Sequence, residues 1–165
     1  MQLMSRNINS SLRIKKIEAD FGVTDISELA WKAAERICVD SYWSGMKAPT
    51  GRQFRTDLLW SDTALYARFE ADQAEEIVTS ARPQLEEKSM NLWDRDVCEI
   101  FVAPDRSQPR KYFEFEAAPT GEWLDVALDS TSGERVSDWG YASGMKTAAK
   151  PEDGRVVIAL TIPWE

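Results

Sequence analysis

The sequence predicts an all-β protein: an antiparallel β-sandwich of jelly-roll-like, immunoglobulin-like layering, with one short N-terminal helix. Three observations predict it. Apolar and polar residues alternate in about eight to nine short runs. Turns marked by glycine or proline separate those runs. Only one stretch, around Ile26, places apolar residues at helical spacing.

The chain has 165 residues, enough for one domain with a sizeable core. No linker, repeat or low-complexity segment divides it. Residues 1–20 read as an N-terminal extension and edge strand, and 21–165 as the sandwich. Hydrophobic residues make up 43% and charged residues 29%, as in ordinary globular proteins. The net charge of −8 argues against nucleic acid and anionic membranes as partners, since both need a basic face. No apolar run has the length of a membrane-inserted helix. The N-terminus, MQLMSRNINSSLRIKK, lacks the continuous apolar centre of a secretory signal. This is compatible with a cytoplasmic chain and equally with one whose signal was removed by processing or cloning, so the localisation stays open. Two cysteines, Cys38 and Cys98, form no disulfide framework, and each sits in an apolar run that reads as burying a free thiol. Histidine is absent, which removes the usual general base and metal ligand together. Carboxylate chemistry and oxygen-ligated calcium remain open.

In chain order, Leu12 to Ala19 reads as a weak edge strand. Thr24 or Asp25 can cap a helix of about two turns, with Glu28 at capping-box spacing from Asp25 and Trp31 turned inward. Arg36 to Asp40 is a short strand. SYWSGMKAPTGR is a loop carrying Tyr42 and Trp43. Gln53 to Trp60 and Leu65 to Ala71 form a hairpin around Ser61-Asp62-Thr63. Asp72 to Asn91 is a long acidic stretch, broken by Pro83, that either shapes a site or is mobile. Lys111 to Ala117 and Trp123 to Leu128 pair around Pro119-Thr120-Gly121. Ser130 to Tyr141 reads as a loop containing Asp138, Trp139 and Tyr141. Gly144 to Ala149 and Arg155 to Ile162 form a last hairpin around Pro151-Glu152-Asp153-Gly154. Trp164 and Glu165 follow directly on an apolar strand, which reads as a C-terminal truncation with an edge strand missing.

The stretch Asn91 to Pro104, NLWDRDVCEIFVAP, carries the main functional signal. Cys98, Ile100 and Val102 alternate with Val97, Glu99 and Phe101, so the run is a two-faced strand. Trp93 lies in the loop just before it. A large ring beside a strand-borne carboxylate suits a hydroxyl-rich ligand, because the ring covers sugar C–H surface and the carboxylate accepts hydroxyl hydrogen bonds. Pairing with Lys111 to Ala117 would add Tyr112, Glu114 and Glu116 to the same sheet surface. The competing reading makes Trp93 a core cap, pairs Glu99 with a basic residue and leaves the face solvated. Asp94, Asp96 and Asp125 are candidate calcium ligands together with backbone carbonyls, though their spacing is not that of an EF-hand loop. Paired acids also admit a glycosidase reading. Tyr42, Trp43, Trp139 and Tyr141 either line a site or plug the sandwich, and Trp31, Trp60 and Trp123 read as packing residues. The glycines lack phosphate-loop spacing.

LWDRDVCEIFVAPD, followed by RKYFEFEAAPTGEWLDVALD, resembles the family 9 carbohydrate-binding modules and their relatives. AWKAA, the hairpin ending in ALYARFEAD and the late TIPWE extend the likeness over about Asp25 to Glu165. Its most specific part is Trp-x-x-Asp-x-x-Glu followed by a hydrophobic residue and Phe, with the Tyr-Phe-x-Phe strand and Pro-x-Gly turn behind it. The resemblance implies a non-catalytic β-sandwich that binds saccharides, such as chain ends of glucan or xylan, carries structural calcium and works beside a glycoside hydrolase. It also implies a sugar held between two tryptophans. Trp93 matches one of them and Glu99 a hydroxyl-binding carboxylate, while the second tryptophan is expected beyond the last strand of this chain. Sugar-binding relatives carry Arg and Asn where Glu114 and Glu116 stand here. The alternative is a scaffold or protein-interaction module that keeps the sandwich and has lost the sugar. A haem-binding module on a related sandwich is disfavoured by the missing histidine.

Overall fold

A computed structural model describes residues 11–24, 29–42, 44–73, 75–152 and 154–164. The strands, in chain order, are β1 (Lys15–Lys16), β2 (Arg36–Val39), β3 (Phe54–Trp60), β4 (Ala64–Asp72), β5 (Cys98–Val102), β6 (Lys111–Ala117), β7 (Trp123–Asp129), β8 (Val136–Asp138), β9 (Lys146–Glu152) and β10 (Arg155–Pro163). They form two sheets. The larger runs β1-β3-β4-β10-β9, with β2 also paired to β3, and the smaller runs β5-β6-β7-β8. All pairings are antiparallel except β1, which lies parallel to the end of β3 through Lys15–Leu59 and Lys16–Trp60. The expected β-sandwich is the observed fold. Among the described residues no helix is long and apolar enough to cross a membrane.

The core follows from the period-two alternation. Leu65, Ala67 and Phe69 of β4 and Val156, Ile158, Leu160 and Ile162 of β10 face inward, against Phe115 and Ala117 of β6. Ile100, Phe113, Trp60, Trp123 and Tyr141 pack at its margin, as expected of Trp60 and Trp123. The opposite face of the larger sheet is covered too. Trp31, Leu59, Tyr66 and Val157 form a second cluster with Ile17 and Phe21 packed onto it. Phe21 stacks on Tyr66 at 4.4 Å and meets the edge of Trp31 at 5.1 Å. The inward turn of Trp31 is thus observed.

Several local expectations are corrected. The described residues place a 3-10 turn, Leu29–Ala33, where an α-helix was expected. Trp31 is held there by tertiary packing against Phe21, Leu59 and Tyr66. The capping residues Asp25 and Glu28, with Trp43 and Glu165, lie outside the described residues. The loop 130–141 contains β8, which pairs with β7 through Leu128–Ser137. Its three residues, VSD, are too few for alternation to register. The final turn is tighter than expected, since β9 runs to Glu152. Pro151 is tolerated there because β9 is an edge strand. Cys38 is exposed rather than buried, because β2 pairs only with β3 and turns Cys38 to solvent. Cys98 does face the core, and burial pushes its thiol up to about 12.

The outer face of the larger sheet also carries a charge network. Asp57 accepts from Arg36 Nε at 3.0 Å and Nη2 at 2.8 Å, and from Arg68 at 3.0 Å. Glu70 accepts from Arg55 and Arg155, each at 3.2 Å, and lies 3.3 Å from Arg68. Burial opposes the ionisation of Glu70, but the charges of Arg68, Arg55, Arg36 and Arg155 outweigh it and hold the carboxyl below its ordinary range. A lowered folded-state value gives stability that is present above the ordinary glutamate range and lost as pH falls through the lowered value. Removing one partner of a fully buried pair costs about 3–5 kcal/mol, and partial solvation of the arginines reduces that here. Glu70→Ala is therefore expected to destabilise the fold by about 2 kcal/mol at neutral pH. The loss relative to wild type should shrink in acid, and chemical denaturation at the two pH values checks both.

Candidate functional site

The outer face of the smaller sheet is set by the register of β5 on β6. Glu99 lies opposite Glu116, and Phe101 opposite Glu114. On β7 the same face carries Leu124 opposite Glu116, Val126 opposite Glu114 and Leu128 opposite Tyr112. Glu99, Glu114, Glu116 and Tyr112 are therefore neighbours on one surface, as the alternation predicted. Each of the three glutamates offers a carboxylate oxygen within 4.8 Å of the other two.

Trp93 reaches this face by a different route. The turn Leu92–Asp94 is a short 3-10 segment entered through Asn91, whose φ of 58° is left-handed, a conformation asparagine tolerates. Leu92 is fully buried against Leu124, the β7 neighbour of Glu116. That contact plants the turn on the sheet and turns Trp93 to solvent, 43% exposed. Trp139, just past β8 and 39% exposed, meets Trp93 with ring centroids 5.9 Å apart and planes inclined by 32°. A second aromatic pair, Phe101 and Tyr112, has ring centroids 6.1 Å apart. The acids thus share their face with the Phe101–Tyr112 pair, and the Trp93–Trp139 pair adjoins them.

The long segment before Trp93 is tied down. Lys88 Nζ lies 2.6 Å from Asp125 Oδ1 and donates to the carbonyls of Asp125, Trp139 and Tyr141. Ser89 Oγ donates to Glu122 at 3.1 Å, and the backbone N–H of Ser89 donates to the Trp123 carbonyl at 3.0 Å. The Trp123 indole donates to the Leu85 carbonyl at 3.3 Å. One side chain, Lys88, therefore bridges the stretch before Trp93, strand β7 and the backbone of Trp139. The C-terminal part of this stretch is thus fastened to β7 beside the candidate site.

The electrostatics are those of acids crowded together, with only Glu114 partly compensated. Burial pushes Glu116 up to about 8, with Glu99 and Glu114 adding to the shift. Burial and then Glu114 raise Glu99. Burial raises Glu114, partly offset by Arg135. None of the three makes a hydrogen bond or an ion pair with a described residue. The expected pairing of Glu99 with a basic residue and the expected solvated face are both replaced by a half-buried acidic cluster.

The aspartates suggested for calcium do not converge. Asp125 is buried, paired with Lys88, and accepts from Ser143 N at 2.7 Å and Oγ at 2.6 Å. Asp96 accepts from the Val78 N–H at 2.7 Å, which ties the long segment at another point, and Asp94 is exposed. Among the described residues, the group whose oxygens lie together as metal ligands would is Glu99, Glu114 and Glu116. Tyr42 is exposed and lines another feature, a cleft of about 430 Å³ with Phe54, Asp96 and Cys98. Sequence reasoning left Trp139 undecided. Had β8 been recognised, alternation from Ser137, which lies opposite Leu128, would have carried Trp139 to this face. Phe101 was legible on the Glu99 face but not as the partner of Tyr112.

A profile of the carbohydrate family 9 binding domain-like group matches residues 24–165. The chain belongs to that family. Curated proteins gave no significant match. Three solved structures share the fold. A protein from Bacteroides uniformis, described as a proposed carbohydrate-binding protein, superposes with a TM-score of 0.68 at 14% identity, covering 93% of this chain and 72% of its own. A family 9 carbohydrate-binding module from Caldicellulosiruptor kristjanssonii in complex with cellotriose gives 0.60 at 17% identity, covering 92% and 67%. A family 9 module from the same organism in complex with glucose gives 0.56 at 18%, covering 93% and 70%.

The raised Glu116 has a measurable consequence. A folded-state value above the ordinary 4.5 means that the folded protein holds a proton the unfolded chain releases. Stability from this proton is complete below pH 4.5 and is lost as pH rises through about 8. In metal-free buffer the thermal midpoint should fall over that window. Glu116→Gln, which mimics the protonated acid, should flatten the decline, as thermal unfolding at several pH values will read.

Proposed function

We propose that the chain is a non-catalytic saccharide-binding domain whose ligand lies on the outer face of β5–β8. The observation that carries this reading is the contact between two solvent-facing tryptophans, Trp93 and Trp139, held by Leu92 and the end of β8 at the sheet whose outer face bears three carboxylates and Tyr112. Aromatic faces offer sugar C–H surface a dry partner, and carboxylates accept from its hydroxyls. The family membership and the glucose and cellotriose complexes of structurally similar modules support the same ligand class. Chain ends of glucan or xylan as the ligand, and a glycoside hydrolase as companion, are part of this proposal.

The geometry favours one mode of binding. A sugar ring between two indoles needs about 3.5–4.0 Å of contact distance on each side. Centroids 5.9 Å apart leave no such slot between Trp93 and Trp139. The ligand of this reading rests across the aromatic pair and reaches toward the acids. A non-catalytic role fits carboxylates that stand side by side on one pleated face, whereas glycosidase acids flank the scissile bond.

Isothermal titration with glucose, cellobiose, xylobiose and galactose tests the reading. Trp93→Ala should abolish the saccharide heat and leave the fold intact. Trp139→Ala should weaken binding by roughly 0.5–1.5 kcal/mol, the worth of one good aromatic contact beyond area burial. Wild-type heat that survives unchanged in Trp93→Ala would remove this face from the site. Silence toward every sugar from folded protein would favour the scaffold alternative.

A further inference from the structure

The buried carboxylates of this protein follow a rule with one exception. Asp57 pairs with Arg68, Glu70 with Arg55, Glu122 with Arg95 and Asp125 with Lys88. Glu116 is 1% exposed and has no basic partner among the described residues. Its Oε2 makes no hydrogen bond. A buried carboxyl is ordinarily paired, metal-bound or protonated, because desolvation penalises its bare charge severely, and a cation at Glu116 would take the place of the proton. Glu116 instead faces two further carboxylates, Glu99 directly across the β5–β6 pair and Glu114 two residues along its own strand. Like charges opposed across a sheet repel, so the arrangement lacks a positive centre.

We propose that Glu99, Glu114 and Glu116 form a binding site for a hard divalent cation of the calcium class. The donor set is carboxylate oxygen only, which suits calcium and magnesium and disfavours softer metals. Cys98 cannot add a thiolate, since it faces the core from the opposite side of β5. Calcium takes its oxygens at about 2.3–2.6 Å, so oxygens on opposite sides of one ion lie about 5 Å apart. The mutual distances of at most 4.8 Å fall within that reach. Magnesium demands a tighter octahedron at about 2.0–2.1 Å and sheds water reluctantly, so calcium is the better fit. Three glutamates leave the shell incomplete, and Glu99 and Glu114 are half-exposed, so the open side faces solvent. Water can complete the shell there. A hydroxyl pair of a bound sugar could do so as well, and that last step alone rests on the saccharide reading.

The test uses the whole chain and calcium alone. Protein stripped with EDTA and exchanged into calcium-free buffer is titrated with calcium chloride by calorimetry, and its thermal midpoint is read with and without millimolar calcium. Wild type should show saturable heat and a raised midpoint. Glu116→Gln and Glu99→Gln should each weaken calcium binding by about tenfold or more and lose the midpoint shift, while circular dichroism shows them folded. Glu114→Gln, at a half-exposed position, serves as the second variant if Glu116→Gln folds poorly. Absence of calcium heat and midpoint shift in wild type would overturn the proposal, as would calcium binding that is equal in wild type and folded variants. No saccharide enters these measurements, so failure of the saccharide reading leaves their outcome unaffected.

Discussion

The register of β5 against β6 decides what the smaller sheet can do. With Glu99 opposite Glu116 and Ile100 opposite Phe115, every acid of the pair points away from the core, while Cys98, Ile100, Val102, Phe113 and Phe115 point into it and Phe101 stays outside with the acids. A one-residue slip of β6 would bury Glu114 and Glu116 against the larger sheet and expose Phe115, and the same slip of β5 would bury Glu99 and expose Ile100. The core therefore enforces the acidic face. Hydrophobic burial on one side of the strands holds together, on the other, carboxylates that repel one another. This is how a fold can maintain a locally unfavourable surface: the cost is borne by packing several ångströms away.

The two sheets treat charge in opposite ways. On the larger sheet Asp57 and Glu70 are woven among Arg36, Arg55, Arg68 and Arg155, and the outer surface is neutralised by its own side chains. On the outer face of the smaller sheet Glu99, Glu114 and Glu116 form no such ion pairs among the described residues, while the tryptophan pair lies near them. A surface that is aromatic, acidic and incompletely satisfied is poised for something from solution, whereas a neutralised network serves the fold. The contrast lies within one domain and under one net charge, so composition alone could not reveal it.

The Lys88–Asp125 pair links these features. Lys88 closes on a buried carboxylate of β7 and on the backbone carbonyls of Trp139 and Tyr141, and so gathers the stretch before Trp93 and the stretch after β8 onto one strand. Trp93 and Trp139 are far apart in sequence, and this shared anchor helps bring their rings together. The segment that composition marked as a long acidic loop is in this part a support for the site.

Much of this was legible in the sequence. Period-two alternation identified β3 to β7 and β10, and it assigned Glu99, Glu114, Glu116 and Tyr112 to one face, because side-chain direction in a strand is a local property. The packing roles of Trp60 and Trp123 were legible as well, and the inward turn of Trp31 followed from the apolar spacing around it. The sequence could not decide what depends on distant residues meeting. The parallel pairing of β1, the existence of β8, the exposure of Cys38 and the engagement of Asp125 by Lys88 are all set by neighbours remote along the chain. So is the meeting of Trp93 with Trp139. The acidity of the face was written locally, but that Glu99, Glu114 and Glu116 form no ion pair among the described residues appeared only in the tertiary structure, since an ion pair is a relation between positions and not a property of either one.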